Sequence, residues 1–101
     1  MIIIHAKIAT EAGTADALKA AIATMEQASR AEAGCVDYTF TTALNEPTTL
    51  RIFEQWQSID ALKAHFATAH MAQFNAAMQK HPPKGIEVKM FEAKEVPFPP
   101  A

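Results

Sequence analysis

The sequence is short of the residues that small secreted or nucleic-acid-binding proteins depend on. One cysteine, Cys35, stands among 101 residues. That excludes an intrachain disulfide framework and a cysteine-based zinc site, and it suits a reducing compartment such as the cytoplasm. The three glycines stand singly, so no glycine-rich phosphate loop is present. Nine basic side chains face 11 acidic ones, for a formal charge of -2. Such a balance gives no footprint for nucleic acid or an anionic membrane. No apolar run approaches the ~18–20 residues of a membrane span. The opening Met1-Ile2-Ile3-Ile4 meets His5 and Lys7 too soon for the core of a signal peptide. Large apolar side chains are scarce too: Leu, Ile, Val and Phe together number 21, and Ala alone equals them. A chain of this size buries only roughly 60–65% of its unfolded surface. With so light a core, further burial between subunits is expected, and with it an oligomer.

What is present is clear periodicity. Ile2 to Ala9 is rich in β-branched residues, with polar His5 and Lys7 both at odd positions, and reads as a strand. Ala12-Gly13 forms a turn, and Thr14 stands where a helix cap belongs. Leu18, Ile22 and Met25 recur at helical spacing, predicting a helix from Ala15 to Glu32 that Gly34 closes. Cys35 to Thr42 alternates, with Val36, Tyr38 and Phe40 on one face. After the turn residues Asn45-Glu46-Pro47, Leu50 to Trp56 alternates again, with Leu50, Ile52, Glu54 and Trp56 together. The two runs predict an antiparallel hairpin.

Ser58 then caps a helix with an apolar stripe at Ile59, Leu62 and Phe66. The same spacing returns twelve residues on, at Met71, Phe74 and Met78. At ~100° per residue the two stripes are roughly 120° out of phase. One straight helix cannot bury both, which predicts a break near Ala67-Thr68-Ala69 with Thr68 as a second cap. His81-Pro82-Pro83 ends the helical region. Ile86 to Val96 reads as a last strand. The domain then spans residues 1–96, and the proline-rich tail 97–101 cannot join a ladder.

The order β-α-β-β-α-β is the split arrangement of ferredoxin-like α+β domains, an antiparallel sheet with helices on one face. The other face needs cover, and a second copy of the sheet is the simplest source. A homodimer is expected.

The stretch Phe53-Glu54-Gln55-Trp56, followed by Ala61-Leu62-Lys63-Ala64-His65 and Ala69-His70-Met71, resembles the antibiotic biosynthesis monooxygenase family, a branch of the homodimeric α+β barrels. Ala31-Glu32-Ala33-Gly34-Cys35 is similar to the junction before the family's second strand, and Asn45-Glu46-Pro47 to its hairpin turn. The similarity runs from Met1 to about Met78. It implies oxygenation of a small electron-rich aromatic, such as a quinol or anthrone, with no metal or flavin cofactor. A deprotonated substrate of that kind can pass an electron directly to O2. The protein supplies an apolar pocket, a base and oxyanion donors. Haem-opening relatives use an Asn on the first strand, where this chain has His5 and Lys7.

His65 and His70 are the candidate catalytic residues, since imidazole titrates near ~6.5. They stand five apart, whereas a metal pair on one helix needs four, so no metal site is expected. Trp56, Tyr38, Phe40, Phe66 and Phe74 are candidate substrate-binding walls. Glu54, a carboxylate among apolar residues, is a further candidate, as a raised-pKa acid or base or as the partner of Lys7 or Arg51. Two alternatives remain: a non-catalytic small-molecule binding domain on the same scaffold, and an isomerase of a small phosphorylated metabolite. The isomerase requires Lys7, Arg30 and Arg51 to converge on a pocket. Met25, Met71 and Met78 read as core filling, and Cys35 as a small buried hydrophobe.

Overall fold

The computed structural model describes residues 1–99, so Pro100 and Ala101, the end of the expected tail, lie outside the described residues. Eight elements follow one another: β1 (Ile2–Ala9), α1 (Thr14–Ala17), α2 (Lys19–Arg30), β2 (Cys35–Ala43), β3 (Glu46–Trp56), α3 (Ile59–Phe66), α4 (Ala69–Gln79) and β4 (Gly85–Glu92). The strands form one sheet in the order β2-β3-β1-β4, and each pairing is antiparallel. This is the ferredoxin-like α+β architecture that the element order predicts.

The core lies between sheet and helices. Ile2, Ile4, Ala6 and Ile8 of β1 and Leu50, Ile52, Glu54 and Trp56 of β3 are buried on that side, where they meet Leu18, Met25, Leu62 and Phe74 from the helices. The period-2 alternation of β1 and β3 therefore sets the burial pattern directly.

The break between the two C-terminal helices falls where the phase argument puts it. Ser58 Oγ accepts from the Ala61 amide at 3.1 Å, and Thr68 Oγ1 accepts from the Met71 amide at 3.3 Å. Each cap satisfies one otherwise orphaned amide of a helix's first turn.

Several expectations are corrected. The first helical region is divided at Leu18 into α1 and α2 and ends at Arg30. Its cap is Gly13, at φ 87°, while Thr14 is buried in the first turn and makes no side-chain cap bond. Val36 does not share the face of Tyr38, because the register jumps between Cys35 and Asp37. One extra residue in a strand resets the alternation and turns Val36 outward. Strand β3 starts earlier than expected, at Glu46, so only Asn45 of the Asn45-Glu46-Pro47 triplet stays in the turn. Strand β4 stops at Glu92 rather than Val96. In the first stripe of α3 only Leu62 is buried, with Ile59 and Phe66 exposed. The short helix leans on the sheet through Leu62 and His65 instead.

Among the described residues, two surfaces lack cover. Every residue of β4 is exposed, including Ile86, Val88 and Met90 on the helix side. The outer face of the sheet carries Ile3, His5, Lys7, Arg51, Phe53 and Phe91. No helix of the described residues is long and apolar enough to cross a membrane.

Candidate functional site

A cavity of about 320 Å³ opens between the sheet and α4. Its sheet wall is Ile8, Tyr38, Ile52 and Glu54, and its helix wall is Met71, Phe74, Asn75, Met78 and Gln79. Pro82, Pro83 and Ile86 complete the rim. The lining is mainly apolar with a few polar groups, the usual make-up of a small-molecule site.

Glu54 is the polar centre of the sheet wall. It is buried, it faces Tyr38 across the β2–β3 ladder, and its Oε1 accepts from the Trp56 indole N–H at 3.0 Å. Burial raises its pKa above the ordinary carboxylate value, and the Glu32 carboxylate adds to this. The indole hydrogen bond and His65 oppose the shift. Neither Lys7 nor Arg51 pairs with it. Those two face each other across β1 and β3 and line clefts on the outer side of the sheet. The expected ion pair is thus replaced by a hydrogen bond. Tyr38 is driven well above the usual phenol range, by burial first and then by Glu54 and Glu32. Its hydroxyl stays protonated at any ordinary pH and is a permanent donor at the cavity wall.

His65 and His70 are brought together, though not at the cavity. His65 is 1% exposed, wedged between Trp56 (ring centroids 4.7 Å apart) and Tyr38 (5.3 Å). The turn at Thr68 sends His70 off on a second helix, yet its ring centroid lies 5.8 Å from that of His65. Glu32 joins them. The Nδ1–H of His65 donates to Glu32 Oε2 at 2.6 Å, and the Nε2–H of His70 donates to the same oxygen at 2.7 Å. With Glu32 as a carboxylate, which can only accept, both ring nitrogens are the donors.

Glu32 was legible only as part of the Ala31–Cys35 junction. Gly34 is what aims it: this residue sits at φ 83°, and its carbonyl accepts the Gln57 amide at 2.8 Å. The turn between α2 and β2 is thereby fastened to the turn between β3 and α3. Asn75 and Gln79 were also missed, since nothing in the α4 pattern separates a cavity-facing amide from a solvated one.

The aromatic candidates divide. Tyr38 and Phe74 line the cavity. Trp56 is fully buried behind it. Phe40 stacks on Phe74 at 5.3 Å and lines a different cleft, against α2. Phe66 is 56% exposed on the outer side of α3, and it touches the His65 ring but not the cavity. Of the three cations that an isomerase would need, Lys7 and Arg51 are on the outer face. Arg30 is spent on the Tyr38 carbonyl at 2.9 Å and on Glu26.

A model of the antibiotic biosynthesis monooxygenase family matches residues 1–77, the span that holds Glu32, Glu54, Trp56 and both histidines. The chain belongs to the antibiotic biosynthesis monooxygenase family. A candidate antibiotic biosynthesis monooxygenase from Deinococcus radiodurans superposes with a TM-score of 0.88 at 26% identity, covering 100% of both chains. Another from Nitrosomonas europaea gives 0.86 at 16% identity, over 92% of this chain and 98% of its own, a likeness of fold. An uncharacterized protein of Synechocystis (sll1783) is 32% identical over 75 residues, 71% of this chain and 49% of the relative. The chain therefore spans about half the length of that curated relative. The cavity and the Glu32 cluster are neighbouring features of a monooxygenase-family domain: Tyr38 lines the first and packs on His65 of the second.

Proposed function

We propose that the chain is a cofactor-independent monooxygenase acting on a small electron-rich aromatic of quinol or anthrone type, and that it works as a homodimer. The observation that carries this reading is the pairing of a buried, raised-pKa Glu54 with Tyr38 on the wall of an apolar cavity of about 320 Å³. Glu54 as a carboxylate takes the acidic proton of the substrate. The resulting carbanion gives one electron to O2, and the radical pair combines to a peroxide anion, which takes the proton back from Glu54 to become the hydroperoxide. Loss of water leaves a carbonyl, so that the CH2 of an anthrone, or of a quinol's keto tautomer, and O2 become C=O and H2O. The Tyr38 hydroxyl and the amides of Asn75 and Gln79 are the donors for the oxyanions that develop. Trp56 holds Glu54 in place. His65 and His70 act as positioning residues behind the wall, through their packing on Trp56 and Tyr38. Among the described residues no Lys or Arg lines the cavity, which favours this reading over an isomerase of phosphorylated metabolites.

The exposed apolar side chains of β4 and of the outer sheet, Ile86, Val88, Met90, Phe53 and Phe91, support the dimer, because grouped exposed apolar residues mark a contact surface. Cys35 is a free thiol, in keeping with a reducing compartment such as the cytoplasm. The test is oxygen uptake by the chain with an aerated panel of quinols and anthrones, against Glu54→Gln and Tyr38→Phe. Uptake that depends on both side chains is expected. No uptake above the uncatalysed rate, with tight binding of the same compounds, would establish the non-catalytic binding domain instead.

A further inference from the structure

We propose that Glu32, His65 and His70 form a binding site for one divalent transition-metal ion of the zinc class, a structural site set apart from the cavity. Three ligand atoms, Glu32 Oε2, His65 Nδ1 and His70 Nε2, lie within 4.8 Å of one another. They come from three separate places in the chain: the turn after α2, the last turn of α3 and the first turn of α4. Two imidazoles and a carboxylate are the donor set that zinc and its neighbours prefer. The spacing rule of four residues applies to histidines on one continuous helix. Here the helix is broken at Thr68, and five residues suffice to face both rings inward.

The geometry shows how an ion would enter. Both ring nitrogens aim at one point, which Glu32 Oε2 now holds through two N–H donors. A divalent ion near that point takes the place of both N–H contacts. The N–H proton of each imidazole moves to its other ring nitrogen, so none is lost from the ring, and the carboxylate withdraws by about one metal–ligand bond, ~2 Å. The charge balance favours the exchange. Among the described residues neither Glu32 nor Glu54 has a Lys or Arg partner: Glu32 meets the two imidazoles and Glu54 the Trp56 indole. Such an ion would tie the α2–β2 junction to the α3–α4 corner, and through His65 it would fix Trp56 and Tyr38.

The experiment is titration of the untagged, chelator-treated full chain with Zn2+ and with Co2+. Calorimetry, cobalt d–d absorption and imidazole 15N NMR provide the readouts. One equivalent per chain is expected. The protonated nitrogen of His65 should move from Nδ1 to Nε2 on binding, and the unfolding temperature should rise. Glu32→Gln, which keeps an acceptor of the same shape, and His70→Ala, at a partly exposed position, should each weaken binding by at least the ~10- to 100-fold that loss of an outer-shell partner costs. His5→Ala and His81→Ala, the remaining histidines, should leave it unchanged. A chain that binds neither ion would overturn the proposal and leave a purely hydrogen-bonded cluster. So would binding that survives Glu32→Gln and His70→Ala, or that disappears with His5 or His81. None of these readouts involves oxygen uptake, so the site stands or falls independently of the proposed reaction.

Discussion

The Trp56 indole donates to Glu54 Oε1 at 3.0 Å from two residues further along the same buried face of β3. The bond holds one carboxylate oxygen and does not neutralise its charge, so Glu54 remains a costly group to ionise. Its folded pKa is raised by burial. Between the unfolded value of about 4.3 and that raised value, the native state binds the extra proton. Stability therefore falls as pH climbs through this window, the reverse of an ion-paired carboxylate. Glu54→Gln keeps the indole's acceptor and lacks the penalty. Urea unfolding across pH should show the variant gaining on the parent through the window and staying more stable at pH 7. Parallel curves would mean that Glu54 carries no such strain.

The same substitution should cost activity. A positioned base contributes roughly 100- to 10,000-fold to proton transfer, so Glu54→Gln should lower the rate of quinol oxidation by at least ~100-fold. In the parent the rate should rise with pH as the Glu54 carboxyl ionises. Tyr38→Phe, which removes a donor and not the base, should lower kcat while leaving the shape of that pH profile intact. A steady-state profile for each protein separates the two roles.

Glycine 34 gives a third test. At φ 83° it occupies backbone that side chains rarely adopt, and a Cβ there would meet the Ala61 Cβ at 2.7 Å. Gly34→Ala combines backbone strain with a clash against α3, and about 1–3 kcal/mol of destabilisation is expected. The end of α2 should also part from α3, so the 15N signals that report the Glu32–His65 hydrogen bond should change. A variant as stable as the parent in denaturant titration would contradict this account.

Legibility in the sequence followed the range of the interactions. The alternation of β1 and β3, the two caps and the helix break are local, and residues a few positions apart decide them. Val36 was misplaced because a bulge leaves no mark in an alternating string. Phe66 was read as buried because a three-position stripe cannot reveal that α3 rests on His65 instead. Glu32 meets His65 across 33 positions, and only the path of the chain through Gly34 and Gln57 brings them together. The histidines were recognisable as chemically apt residues, but their setting behind Trp56 and Tyr38, away from the cavity, belongs to tertiary packing.

Thr68 has two tasks at the α3–α4 corner. Its Oγ1 accepts from the Met71 amide and its hydroxyl donates to the His65 carbonyl at 2.7 Å. Thr68→Ala loses both bonds and should destabilise by about 0.5–2 kcal/mol, the usual range for a lost cap. Thr68→Ser retains both and should recover most of that loss. Thermal unfolding of the pair decides the point, and an equal loss in both variants would assign the effect to the missing methyl.

On the outer face of the sheet, Phe53 and Phe91 flank β1, opposite His5 and Ile3 respectively. They are 37% and 50% exposed. Burying a Phe side chain contributes about 1.5–3 kcal/mol, and in a symmetric dimer each substitution counts twice. Phe91→Asp places a charge where an apolar contact is expected and leaves the monomer's core untouched. Light scattering at micromolar concentration should give the parent at twice the chain's 11.0 kDa and the variant at the single-chain mass. The cavity lies on the opposite side of the sheet, so the monomeric variant should still bind an aromatic ligand there. A parent already monomeric under these conditions would show that this face is left to solvent.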